Sequence, residues 1–169
     1  MSKKLIRNCS IKDAELLLKI YPTLEKRCAK IDESISNIGL SYTNGTYRTS
    51  SVFDILLDKI EEKNQTINFK LALDELIIRL KPNTLKLALL MIDYQGLKIE
   101  DLEVILESPA RTVFRRKDTL YLTLSDIVNK SKYKDRIITY IDSHCWTLNI
   151  LENIKEYNAK KKYYQREKE

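Results

Sequence analysis

Apolar positions in the first third of the chain fall in alternating steps of four and three: Leu17, Tyr21, Leu24, Cys28, Ile31, Ile35 and Ile38. This alternation is a heptad seam, the pattern of helices that pack along one face. Pro22 lies within it and lacks the N–H that a helix interior requires, so a kink or restart is expected there. Two arrangements satisfy the seam: it packs on the next helix of the same chain, or it joins two copies as a homodimer through residues 17–38.

Residues 39–51, GLSYTNGTYRTSS, lose this periodicity and predict a loop, with Ser51 as a cap for the next helix. Phe53, Leu56, Leu57 and Ile60 then share one helical face, as do Phe69, Ala72, Leu73, Leu76, Ile77 and Leu80. One long helix or two therefore run back antiparallel to the first. KPNT at 81–84 ends this hairpin, because a residue before proline avoids helical dihedrals, and Asn83 or Thr84 is placed to cap the helix beyond it.

Three helices are expected next. Leu85, Ala88, Leu89 and Ile92 mark the first, which closes at Gly96, a residue suited to the left-handed conformation of a helix end. Ile99, Leu102, Ile105 and Leu106 mark the second, over 99–106. ESPA at 107–110 starts the third, with Ser108 as cap and Pro109 at the first helical position. Val113, Leu120 and Leu124 form its inward stripe, which turns Arg111, Phe114, Arg115 and Asp118 outward and leaves Arg116, Lys117 and Thr119 on the flanks. Ile137, Ile138, Ile141, Leu148, Leu151, Ile154 and Tyr157 predict one or two further helices around the polar break DSHCWT.

Composition narrows the class. With 169 residues, 43% hydrophobic, and three each of glycine and proline, the chain can bury one core and favours long helices. The expected fold is all-α: an N-terminal helical hairpin over 1–81, a helix-turn-helix unit over 82–128 and a C-terminal helical extension with a basic tail over 129–169. A net charge of +6 favours polyanionic partners. In the tail, Lys160, Lys161, Lys162 and Arg166 would attract phosphate, and Tyr163 and Tyr164 could stack on unpaired bases. A solvated end or an oligomerisation helix are the other readings of that tail.

No run of about 18 apolar residues and no signal-peptide pattern is present, so a cytoplasmic protein without a membrane partner is expected. Cys9, Cys28 and Cys145 are far apart and lack ligand spacing, which argues against both disulfides and zinc. His144 beside Cys145 and Trp146 has no third ligand nearby, so a packing role is expected for it. No phosphate loop, HExxH, GxSxG or framed carboxylate pair occurs, hence no catalytic residue, metal or cofactor is assigned and the chain is read as a non-enzyme.

A short helix, a tight turn and a helix whose first turns carry Arg111, Arg115, Arg116 and Lys117 form an arrangement suited to duplex DNA. Residues 89–124, LLMIDYQGLKIEDLEVILESPARTVFRRKDTLYLTL, resemble the DNA-binding fourth region of housekeeping-type sigma factors. They are more closely similar to small phage regulators of the ArpU and RinA kind. Tyr94, Gly96, the IEDL of 99–102, Leu106, the RTV of 111–113, Arg115, Leu120 and Leu124 carry the likeness. It implies a sequence-specific transcription regulator of double-stranded DNA. Arg111 and Arg115 would read base edges, Lys98, Arg116 and Lys117 would hold phosphates, and Thr112 would do either.

Acidic Glu100, Asp101 and Glu103 would face away from DNA, where RNA polymerase or an activator could be met. Glu103 stands where the family prefers alanine, and either it needs a partner such as Arg111 or Arg116 or the two helices sit further apart. Alternatives in the same frame are a reduced alternative sigma factor and a small-terminase-like packaging subunit. A helical protein-interaction module whose basic face never meets nucleic acid is the reading from another class.

Overall fold

The computed structural model describes residues 5–45, 49–144, 146, 147, 149, 150, 152 and 153. Among them every regular element is helical. Helix α1, Ile11–Ile20, starts at a reciprocal cap: the Asp13 N–H donates to Ser10 Oγ at 3.1 Å, and the Ser10 N–H donates to the Asp13 carboxylate at 2.7 Å. Pro22 then produces the expected break, a single 3₁₀ turn over Tyr21–Thr23, after which α2 runs over Leu24–Thr43.

The loop expected over 39–51 is shorter than its composition suggested. Helix α2 passes through Gly39 and reaches Thr43, and α3, Thr49–Ile77, already includes Ser51, which is therefore not a cap. Half-buried Ile35 and Ile38 hold α2 in helix through its last turns, so packing prevails over the weak local preference of the hydroxyl residues. The polar EEKNQT step stays helical, and α3 is one rod.

Pro82 opens α4, Pro82–Asp93, from an extended Lys81, so Asn83 and Thr84 lie inside the helix instead of capping it. Gly96 takes the expected positive φ, at 87°. Beyond it come α5, Ile99–Ile105, α6, Ala110–Lys130, and α7, Lys134–Ser143.

Helices α2 and α3 form an antiparallel hairpin, and α6 occupies the centre of the other half, with α1, α4, α5 and α7 all laid against it. One apolar cluster joins these parts: Leu17 and Leu24 near the start, Phe69 and Leu73 on α3, Leu87 on α4, Leu102 on α5, Val113, Leu120 and Leu124 on α6, and Ile137 and Ile141 on α7. The segments 1–81, 82–128 and 129–143 thus share a core. In the 17–38 seam, Leu17, Leu24 and Ile31 are buried and the other four positions are half-buried, so much of this stripe packs within the chain itself.

Three expected faces are corrected. On α3, Phe53, Leu57 and Ile60 point to solvent, while Val52 and Leu56 turn inward with buried Thr66. Helix α2 meets α3 on a side fixed by Lys63–Asp32 at 2.6 Å and Arg27–Glu62 at 2.7 Å, which rotates the upper apolar face away. On α4 the buried residue is Leu87 and not Leu89, and on α5 Ile105 is exposed. Leu148, Leu151, Ile154, Tyr157 and the basic-aromatic tail, Lys160 to Arg166, lie outside the described residues.

Polar clamps join the segment before α1 to α6 and α7. Arg7 donates to Asp13 at 2.6 Å and to Asp142 at 2.7 Å, tying the first helix to α7. The Cys9 N–H donates to the Asn129 amide oxygen at 2.8 Å, and the amide nitrogen returns a bond to Cys9 O at 3.0 Å. Tyr140 stacks on Phe69 at 4.0 Å between centroids and shares a hydrogen bond with Thr66 at 3.0 Å.

Burial by itself would raise the Asp13 carboxyl, but hydrogen bonds from Arg7 and Ser10 outweigh it and hold the pKa below its ordinary 3.8. A lowered folded value means that ionised Asp13 stabilises the fold above that ordinary value. The contribution disappears as pH falls through the folded one. Asp13→Ala is expected to cost about 2 kcal/mol in urea unfolding at neutral pH. It should also show a shallower loss of stability than the parent chain as pH is lowered toward about 3.

Candidate nucleic-acid interface

The start of α6 is built by a carboxylate from the preceding helix. Glu107 turns the chain with φ 48°, Pro109 is extended, and the N–H groups of Thr112 and Val113 donate to Pro109 O at 2.8 and 3.1 Å. The Ala110 N–H is taken by the Glu103 carboxylate. Ser108, expected to cap, instead donates its hydroxyl to Leu106 O at 2.9 Å. Glu103 therefore finds its partner at the positive end of α6 and makes no ion pair with Arg111 or Arg116. A seven-residue separation between acid and amide hides such a cap from any local motif.

The inward stripe of α6 is as expected at Val113, Leu120 and Leu124, extended by Tyr121 and Val128. Arg111, Arg115, Arg116 and Asp118 are exposed, and none of the three arginines has an ion-pair partner among the described residues. Phe114, expected outward, is half-buried, as are Thr112 and Lys117.

Thr112, Arg115, Arg116 and Thr119 form one wall of a groove of about 600 Å³, and the first turns of α4 form the other through Asn83, Thr84 and Lys86. Leu106 and Glu107, from the turn between α5 and α6, also line it. Three cations against one carboxylate give the groove a positive field, and its hydroxyl and amide groups supply further donors.

Of the six residues expected to meet DNA, the structure brings Thr112, Arg115 and Arg116 into this groove. Arg111 stands one turn before Arg115 on the same helix, outside the groove. Lys117 also lies outside it. Lys98 sits at the opposite end of α5, exposed, with its backbone N–H on the Asp101 carboxylate at 2.9 Å. Asn83, Thr84 and Lys86 were not anticipated as site residues. The only local signal was a polar first turn on α4, which also reads as a capping sequence.

Other chemistry-bearing groups are engaged in packing. His144 stacks on Tyr140 at 4.0 Å and pairs its Nδ1 with Tyr140 O at 2.8 Å; its neighbour Cys145 lies outside the described residues. Burial pushes the Cys9 thiol up to about 12, far from a reactive thiolate at neutral pH. Among the described residues no group of three or more His, Cys, Asp or Glu could hold a metal ion. No helix there is long and apolar enough to cross a membrane. In comparisons with known proteins, no family model, curated protein or solved structure matches this chain.

Glu103→Ala is expected to lower stability by about 1 kcal/mol through loss of the cap. Amide hydrogen exchange should show the change concentrated in the first turn of α6, with α2 and α3 unaffected.

Proposed function

We propose that the chain is a sequence-specific DNA-binding transcription regulator of the sigma-like, phage or mobile-element type, with α4, α5 and α6 acting as a helix-turn-helix. The observation that carries this reading is the outer side of the first turns of α6. Arg111, Arg115 and Arg116 stand exposed there without ion-pair partners among the described residues, on a rod held from behind by its apolar stripe.

A cation left unpaired on a rigid helix is prepared for an external anion, because no internal bond must first be broken. Helix α6 would enter the major groove with Arg111 and Arg115 toward base edges, where a guanidinium fork matches guanine. Arg116, Lys117 and Lys98 would hold phosphates, Thr112 would contact either, and Lys86 at the far wall would extend the phosphate track. Exposed Glu100 and Asp101 on α5 would stay clear of DNA and offer a surface to RNA polymerase.

Selection of bound fragments from random duplex DNA at about 150 mM salt tests the reading, since nonspecific attraction fades there while specific readout persists. A defined consensus is expected. On that site Arg111→Ala or Arg115→Ala should weaken binding by about 1–3 kcal/mol and relax preference at one base pair, whereas Arg116→Ala should lower the salt slope by about one. No enrichment, or binding indifferent to all three changes, would refute it.

A further inference from the structure

We infer that the outward face of α3 is a homodimer interface, on which a second copy of this chain lays its own α3 parallel and in register. The face is a second seam: Phe53, Leu57, Ile60, Asn64, Ile67 and Leu71 succeed one another in steps of four and three along the solvent-exposed side of α3. All of its large apolar members are exposed, Phe53 at 64%, Leu57 at 60%, Ile60 at 45%, Ile67 at 39% and Leu71 at 58%. At 1.5 Å per residue the stripe is about 27 Å long, an aligned row of apolar side chains interrupted only by Asn64 and not a scatter of single side chains.

Asn64 and the charges beside the strip identify the occupant. Asn64 sits in the middle of the seam, and its amide makes no hydrogen bond among the described residues. In a parallel, in-register pair it faces Asn64 of the other copy, and two amides can each donate to and accept from the other. In an antiparallel pair it would face an isoleucine, with its polar atoms buried unpaired. A single seam asparagine is the device by which parallel two-stranded coils fix their register.

The flanks agree. Asp54, Glu61 and Glu75 lie along one edge of the strip, and Lys63 and Lys70 along the other. A parallel pair sets Lys70 of one copy beside Glu75 of the second, whereas an antiparallel pair sets acidic edge against acidic edge. The two lysines already touch Asp32 and Glu25 of α2, which fixes them at the border of the strip. The interface does not require α6 to bind DNA.

Sedimentation equilibrium of the full chain is the test. At micromolar concentration the mass of two chains is expected. Leu57→Glu together with Ile60→Glu should weaken association by about 100-fold or more, since both charges would be buried on pairing. Both positions are exposed in the single chain, so helical circular dichroism should be unchanged. Leu57→Cys should give an intermolecular disulfide under mild oxidation beyond the level of the unsubstituted chain, because only a parallel pair brings position 57 to its own counterpart. A single-chain mass at every concentration, a dimer indifferent to the two glutamates, or no added cross-link overturns the proposal.

Discussion

The architecture depends on the way α6 is held. Val113, Leu120, Leu124 and Val128 are all fully buried along one side of this helix, and α1, α4, α5 and α7 lay apolar surface against it. Burying that stripe fixes the rotation of the rod about its own axis. Once it is fixed, Arg111, Arg115 and Arg116 have nowhere to go but outward. The basic surface is thus a consequence of packing on the other side, and any change that loosened the stripe would blur the presentation of the arginines.

The same helix shows how neighbouring elements prepare a site. Glu103 on α5 satisfies the first free amide of α6, Glu107 accepts a left-handed turn to bring the two helices together, and Leu106 packs beneath the junction. Helix α4 then supplies the second wall of the groove through its first turn. The groove is assembled from three segments that local sequence treats as separate, with Arg115 and Arg116 of α6 and Lys86 of α4 contributing its positive charge.

Helix α3 faces two ways. One side carries Thr66, Phe69, Leu73 and Leu76 into the shared core, and the other offers Phe53, Leu57, Ile60, Ile67 and Leu71 to solvent around a lone asparagine. A rod apolar on two sides has little net moment, which is why its periodicity gives a helix without saying which side is inside. Ion pairs to α2 and the stack of Tyr140 on Phe69 settle that choice. In so doing they leave an apolar seam facing outward, a surface separate in sequence from the basic groove.

Amino-acid order alone determined the helical class, the break at Pro22, the fresh start at Pro82, the left-handed stop at Gly96 and the inward stripe of α6, because each depends on backbone chemistry or spacing within a few residues. It also marked Arg111, Arg115 and Asp118 as outward, whereas Phe114, expected beside them, is half-buried and Arg116, expected on the flank, is exposed. Tertiary structure alone decided that Thr43 still belongs to a helix, that Leu87 and not Leu89 is buried, that Glu103 and not Ser108 caps α6, and that Asn83, Thr84 and Lys86 join Thr112, Arg115 and Arg116. These outcomes turn on which face meets which partner and on bonds between segments. Spacing along a chain gives a helix its faces, while the selection among them is made by the surfaces available to bury them.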